Sequence, residues 1–444
     1  MDLKNKKVLQ VGLGILGGGV ATARFLVEKG AILTITDLKD EKYLEPSIDK
    51  IKDIKNDIKF VLGEHKEKDF LDNDIIVINP DVSIYNKYIE IAKKAGKQIE
   101  NELSLFYKFC PSKKIVAITG TRGKTTTVNW TAHLLKSKNS NTLVLGNTPD
   151  RPLLQEIYNC KKDSQIVMEA PSFLLEICDT SEFKPQVAVV TNIYRDHINR
   201  HKNMEEYARV KSNIFKYQNE DDFLILNKEN EWTKFFLAQN PKAKILFFPN
   251  DDFVENKEEF IRQWGGHNLQ NFEVASLVAN VFEISKEEIK ESIADLPQIR
   301  FRQEKIYDNR KLQIYNDTTA TSPEALTASM QRFCSDEERV IFICGGTDRE
   351  LDFKKWAKTA RSLIKPENLI LLSGSATEKM KSELGWDNFI EFDSLEECFK
   401  KALDIVETEK KSKIVFSPGA KSFEKFKNEF DRGEKFNALV PKIK

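Results

Sequence analysis

Short apolar runs rich in Val and Ile recur along the chain, separated by longer stretches of helical character. They are Val8–Val11, Ile32–Ile35, Ile75–Ile78, Ile115–Ile118, Ile166–Met168, Val187–Val190, Val340–Ile343, Leu369–Leu372 and Ile414–Phe416. Most are followed by Gly, Asn, Asp, Ser or Thr. Continuous apolar runs that end in loop residues predict parallel strands buried on both faces. Their alternation with helices predicts an α/β protein. Helical spacing is clear at Val274, Leu277, Val278 and Val281. The Lys-rich stretch 50–59 reads as a solvated face. No internal repeat or low-complexity linker marks a boundary, so boundaries follow the motifs. One nucleotide-binding-like pattern opens at residue 8, a second at 115, and a further set of strands after Leu296-Pro297. Three α/β domains are expected, at 1–100, 101–297 and 298–444.

Composition narrows the class. The 444 residues carry 69 Lys+Arg against 69 Asp+Glu, so the formal charge is zero, and 40% are hydrophobic. That is enough apolar material for several cores. A neutral balance argues against a general nucleic-acid coat. The six cysteines include no C-x-x-C pair and read as reduced thiols of a cytoplasmic protein. No run approaches the roughly 18 apolar residues of a membrane span, and the N-terminus lacks a signal-peptide core.

The candidate chemistry sits at strand ends, where open α/β sheets bind ligands. Gly12-Leu13-Gly14-Ile15-Leu16-Gly17 follows the first strand, and Asp37 ends the second, 20 residues after Gly17. This is the dinucleotide pattern of glycine turn, helix N-terminus and acid reaching a ribose or base edge. It does not separate NAD from other nucleotides. Asn79-Pro80-Asp81 is a further strand-end loop able to close over the same ligand.

A stronger signal follows Ile115–Ile118, in Thr119-Gly120-Thr121-Arg122-Gly123-Lys124-Thr125-Thr126. Backbone N–H groups of such a loop cradle phosphates, Lys124 neutralises β/γ charge and the Thr125 hydroxyl suits Mg²⁺. The loop is shortened, with Ile118 where a P-loop glycine usually stands. Glu169 closes one strand, and His197 lies in the polar loop after another. Carboxylate, imidazole and hydroxyl at adjacent strand ends suit Mg²⁺ with several waters. Lys211, in Tyr207-Ala208-Arg209-Val210-Lys211, is by itself a surface charge. Gly266-His267-Asn268-Leu269-Gln270-Asn271 reads as a turn before a helix, able to cap it or to contact a base or phosphate.

The ordered set GTRGKTTT, EAPSF, TNIYRDHINRH, YARVK and GGHNLQN resembles the Mur ligases, the ATP-dependent amino-acid ligases of peptidoglycan synthesis. Phe301–Glu304 (FRQE), Asn316–Pro323 (NDTTATSP), Gly345–Phe353 (GGTDRELDF) and Ser417–Phe426 (SPGAKSFEKF) are similar to the glutamate-adding branch. The resemblance covers nearly the whole chain. It implies an N-terminal Rossmann-like UDP-binding domain, a central P-loop ATPase-like domain with a parallel sheet, and a Rossmann-like C-terminal domain that binds the amino acid. It implies ATP, Mg²⁺, UDP-N-acetylmuramoyl-L-alanine and D-glutamate as reactants and cofactor, and a monomeric enzyme is expected.

By position, Gly14, Ile15, Leu16, Asp37, Asn79 and Asn147 would meet the UDP-sugar. Gly120, Thr121, Arg122, Gly123, Lys124, Thr125 and Thr126 would hold phosphates, with Asn268 and Asn271 near adenine. Arg302 and Asp317 would reach ATP from the third domain. Thr125, Glu169, His197 and Lys211 would form the metal site, Lys211 matching the family's carbamylated lysine. Thr321, Arg349, Ser417, Lys421, Ser422 and Phe423 would hold the amino acid.

Some positions depart from the family pattern. Arg122 stands where Asn is common, Pro171 and Leu174 replace polar residues, a single Gly146 precedes Asn147, Phe301 stands where His is frequent, and Thr319 stands where the glutamate-adding branch usually has Lys. Lys421, where a small residue is usual, is positioned to take over that charge. Competing readings are a Mur-type ligase adding L-glutamate or another amino acid, an NAD-dependent oxidoreductase using the first domain, and a non-catalytic nucleotide-binding module.

Overall fold

The computed structural model describes residues 1–146, 152–196, 200–250, 252–334, 338–406 and 411–442. The described residues form three β-sheets flanked by helices. The first holds β1 (Lys7–Val11), β2 (Ile32–Asp37), β3 (Ile58–Leu62), β4 (Ile75–Ile78) and β5 (Gln98–Asn101) in the order β3-β2-β1-β4-β5. All its pairings are parallel. The second holds β6 (Ile115–Thr119), β7 (Thr142–Leu145), β8 (Gln165–Glu169), β9 (Val187–Val190), β10 (Phe223–Asn227) and β11 (Lys244–Phe248), ordered β11-β10-β9-β6-β8-β7 and again parallel.

The third holds β12 (Glu304–Asp308), β13 (Leu312–Asn316), β14 (Arg339–Cys344), β15 (Leu369–Leu372), β16 (Ile390–Phe392) and β17 (Ser412–Phe416), ordered β12-β13-β17-β14-β15-β16. Only β12 runs antiparallel there. The apolar runs explain these layers: every residue of β6, β9 and β15 is buried, as a strand covered on both faces requires.

The chain divides into two compact units. One comprises Met1–Phe253 with Gln270–Asp295 and carries the first two sheets; the other comprises Val254–Leu269 with Leu296–Lys444 and carries the third. Among the described residues no helix is long and apolar enough to cross a membrane.

Two local expectations change. The stretch 50–59 is more than a solvated face. It begins in a 3-10 segment, Asp49–Asp57, and enters β3 at Ile58, burying Ile51 and Ile58. Two apolar residues among many lysines suffice to anchor it. The Gly266–Asn271 segment is not a turn ahead of the helix but its opening. The helix runs Gly266–Val281, and the chain reverses at Gly265 (φ +85°), whose N–H closes on the Ile261 carbonyl at 2.7 Å.

Candidate active site

In the second sheet β6 lies between β8 and β9, and the loop after β6 leads into the helix Lys124–Lys136. Gly120 is obligatory here. A Cβ at that position would lie 1.9 Å from the Thr191 hydroxyl oxygen, and its φ is +142°. Thr191, immediately after β9, donates its hydroxyl to the Arg122 carbonyl at 2.7 Å. Asn192 accepts the Thr121 N–H on its carbonyl and the Arg122 N–H on its side chain, each at 2.9 Å. The loop is therefore shaped by the end of β9 and not only by its own glycines. Gly120 and Thr121 are buried, Gly123, Lys124 and Thr125 are half-buried, and the exposed Arg122 side chain pairs with Asp196 at 2.9 Å.

The reactive groups gather beside this loop. Thr125 donates its hydroxyl to Glu169 Oε2 at 2.9 Å. Lys124 Nζ lies 3.9 Å from Glu169 Oε1 and donates to the carbonyls of Gly120 and Thr121 at 3.0 and 3.2 Å. Lys211 is not a surface charge. It is 1% exposed, and Nζ donates to Thr119 Oγ1 at 3.2 Å and to the Gly120 carbonyl at 3.0 Å. Its ammonium is disfavoured first by burial and then by the charge of Lys124, partly offset by Asp196 and Glu169, so its pKa falls well below the ordinary lysine value. Tyr207 packs its ring under Lys211 and shares a 3.3 Å hydroxyl contact with Thr121.

Glu169 and Thr125 offer hard oxygen donors on one side of the loop, the donor type Mg²⁺ requires. Among the described residues no three His, Cys, Asp or Glu side chains cluster as a metal cage. His197 and Asn147 lie outside the described residues.

Asn271 presses against the loop. A Cβ on Gly123 would meet its Oδ1 at 2.2 Å, and the Thr127 hydroxyl donates to the same oxygen at 3.3 Å. Asn268 belongs to the other compact unit, where its side-chain amide donates to the Trp264 carbonyl at 2.8 Å. Thr126 is buried at the start of the helix.

In the first sheet the glycine loop has a different occupant. Asp37 Oδ2 accepts the N–H groups of Leu13 and Gly14 at 2.8 and 3.2 Å, and Oδ1 accepts that of Lys39 at 2.9 Å. The carboxylate expected to reach a ribose is thus buried and engaged with its own loop. Two N–H groups that would meet a dinucleotide pyrophosphate are engaged by an acid. Ile15 and Leu16, by contrast, are 42% and 53% exposed at the loop tip. Asn79 approaches so closely that a Cβ on Gly12 would lie 2.9 Å from its Cβ.

In the third sheet Asp317 and Ser417 come together, although sequence assigns them to different ligands. Ser417 donates its hydroxyl to Asp317 Oδ2 at 2.8 Å, and the Gln303 N–H donates to Oδ1 at 3.1 Å. Burial pushes the Asp317 carboxyl up to about 6. Arg302 is exposed. Arg349 stacks over exposed Phe423 at 4.6 Å. Lys421 Nζ donates to Thr321 Oγ1 at 3.3 Å. Sequence reasoning assigned no role to Thr119, Thr191, Asn192 or Arg432. The signals for the second and third are their position directly after an apolar strand and their place at the start of the TNIYRDHINRH motif.

The Mur ligase middle domain model matches residues 118–294, and that for the MurD-like N-terminal domain of Mur ligases matches 6–101. The chain is 33% identical to the UDP-N-acetylmuramoylalanine–D-glutamate ligase of Clostridioides difficile, covering 100% of both chains. It is 34% identical to that of Borreliella afzelii, over 99% of this chain and 98% of the relative. Among solved structures, UDP-N-acetylmuramate-alanine ligase MurC from Thermotoga maritima superposes with a TM-score of 0.61 at 17% identity, covering 99% of this chain and 100% of that one. MurF from Acinetobacter baumannii gives 0.62 at 15%, covering 92% and 90%. These structures share the fold.

Proposed function

The chain belongs to the Mur ligase family, and from that premise we propose that it joins D-glutamate to UDP-N-acetylmuramoyl-L-alanine at the expense of ATP. It is an ATP-dependent ligase forming a carbon–nitrogen bond in peptidoglycan precursor synthesis. The observation that carries the reading is the convergence of Lys124, Thr125, Glu169 and Lys211 on the loop after β6.

A carboxylate does not condense with an amine unaided. The alanyl carboxylate oxygen attacks the γ-phosphorus of ATP, the bond to the bridging oxygen breaks and ADP leaves. The amine of the incoming amino acid then attacks the acyl-phosphate carbon, a proton is lost from nitrogen, and phosphate departs with the electron pair of the C–O bond. Lys124, at the N-terminus of its helix, stabilises charge that builds on the transferring phosphoryl oxygens. Thr125 and Glu169 would hold Mg²⁺, which supplies further charge neutralisation when bound.

Lys211 is the carbamylation candidate. Carbamate formation requires a neutral amine, and burial beside Lys124 favours that form. The carbamate would present an anion toward the same metal. Ile15, Leu16 and the Asn79 loop form the UDP-sugar edge, with Asp37 bracing it from within. The enzyme acts in the cytoplasm as a monomer.

The test is phosphate release from ATP with UDP-N-acetylmuramoyl-L-alanine and a panel of D- and L-amino acids. Release is expected to require both substrates and to be fastest with D-glutamate. Release with another amino acid alone would reassign the acceptor, and none with any amino acid would overturn the reading. For Lys211, a carbamate carbon signal with ¹³C-bicarbonate is expected in the parent and not in Lys211→Met.

A further inference from the structure

The loop after β4 lies against the glycine loop of the first sheet. A Cβ on Gly12 would lie 2.9 Å from Asn79 Cβ and 3.5 Å from Val82 Cγ2. The Val82 N–H donates to the Asn79 carbonyl at 2.9 Å, so the two residues form one turn. This turn is held from the second sheet, by Arg200 in the segment after β9. Arg200 Nη1 donates to the Pro80 carbonyl, and Nη2 donates to the Val82 carbonyl at 3.1 Å. The same guanidinium is gripped by Glu176, with Nε on Oε1 and Nη2 on Oε2, both at 2.6 Å. Glu176 lies seven residues beyond Glu169, directly after the helix Ser172–Leu175, and the guanidinium carbon sits 5.7 Å from the centre of the Phe173 ring of that helix. One planar cation thus joins the turn after β4, the segment after β8 and the segment after β9.

A second tie runs beside the first. Tyr85, further along the loop after β4, donates its hydroxyl to the Glu206 carboxylate, which Arg209 also holds at 2.7 and 2.8 Å. Glu206 lies on the helix Met204–Ser212, the helix that carries Lys211. The loop at the sugar-nucleotide edge is therefore fastened at two points to the elements that carry the phosphate chemistry.

The chemistry of the first tie favours geometry over stability. The Glu176 side chain is 1% exposed and that of Arg200 15%. Desolvating both charges offsets most of their attraction, so such a pair adds little net stability. What it adds is direction. A bidentate carboxylate fixes the plane of the guanidinium, and the remaining N–H groups point where that plane dictates. Here they point at two main-chain carbonyls of the turn.

We propose that Arg200 is a positioning residue of the ligase reaction: braced by Glu176, it sets where the turn at Asn79–Val82 places the sugar nucleotide relative to the phosphate loop after β6. This rests on the reading that the first sheet takes the UDP-sugar. Arg200 acts through the backbone of the turn. The reacting carboxylate and phosphorus must meet at roughly 3–3.5 Å, and a misplacement of about 1 Å costs about 100-fold in rate.

The experiment compares the parent with Arg200→Met, Arg200→Lys and the double variant Arg200→Met/Glu176→Leu. Phosphate release gives kcat at saturating substrates, titration without the sugar nucleotide gives the ATP Kd, and melting gives stability. Arg200→Met strands a buried carboxylate and should melt early, whereas the double variant, with both charges removed, should regain most of the lost stability. All three should lose about 10- to 100-fold in kcat. The double variant should do so despite its recovered melting, and Arg200→Lys because an ammonium cannot hold a carboxylate and two carbonyls in one plane. The ATP Kd should stay within about twofold. A kcat within about twofold of the parent in the double variant reduces the pair to an ordinary ion pair and overturns the proposal. A rise in ATP Kd matching the fall in kcat also overturns it, because Arg200 then acts on the phosphate loop. If the double variant does not fold, Arg200→Lys decides alone, and a parent-like kcat there overturns the proposal. These outcomes leave the ligase reading intact; a parent that releases no phosphate with any amino acid overturns that reading instead.

Discussion

The first two sheets each carry a glycine loop between an interior strand and a helix, and the two loops do opposite things with an acid. In both, the acid ends the neighbouring strand: Asp37 ends β2 beside β1, and Glu169 ends β8 beside β6. Asp37 turns onto the backbone and takes the Leu13, Gly14 and Lys39 N–H groups. Glu169 leaves the loop backbone alone and instead accepts the Thr125 hydroxyl and faces Lys124. One loop is braced by the acid itself. The other is braced by Asn192, which takes the Thr121 and Arg122 N–H groups, and so leaves its acid to the Thr125 hydroxyl and Lys124. A glycine spacing announces a tight turn before a helix, whereas the side chain arriving from the adjacent strand decides the ligand chemistry.

The sharpest way to test the phosphate side of this contrast is Lys211→Met. It should reduce kcat by about 1,000-fold or more, the upper end for a single stabilising group. It should also make the protein more stable near neutral pH without added bicarbonate. The amine's folded pKa lies well below its ordinary value, so the unfolded chain binds a proton that the folded one refuses. The parent therefore loses stability as pH falls below the ordinary lysine range of about 10.4. The stabilising effect of Lys211→Met should fade above that range. A variant that is inactive and less stable at every pH would show a packing role instead.

Lys124→Ala comes next. A loss of at least about 100-fold in kcat/KM is expected, with thermal stability changed by less than about 1 kcal/mol, because its two carbonyl hydrogen bonds lie within its own loop and Glu169 is no closer than 3.9 Å. Near-normal turnover would make the second loop as inert as the first.

Asp37→Ala should give the smallest effect on catalysis and a clear one on folding. Three backbone donors lose their acceptor, which costs about 1–3 kcal/mol, and urea denaturation would read it directly. A raised KM for the UDP-sugar with unchanged stability would return Asp37 to the role of ligand.

Much of this was legible in the chain. β4, β9 and β15 begin and end where the apolar runs do, because a strand buried on both faces must be apolar throughout. β3 was hidden by the lysines at 50, 52 and 55 that precede it and by Lys59, which interrupts its apolar residues. The loop after β6 was legible because Gly, Lys and Thr there have few other uses together. The turn of Asp37 onto its own loop is not legible, because spacing cannot say which way a carboxylate turns. The burial of Lys211 was invisible for the same reason, as a lysine inside a helix pattern is usually solvated. The Asp317–Ser417 pair joins residues 100 positions apart, a contact that only the parallel pairing of β13 with β17 creates.

The backbone at residue 421 is clamped independently of its side chain. Its N–H and carbonyl pair with Thr347 at 3.2 and 2.9 Å, and Arg432 holds the same carbonyl at 3.1 Å. Such a position is evolvable: substitution can change the side chain and its charge without disturbing the path of the loop, so surface chemistry and architectural integrity are uncoupled at this one codon.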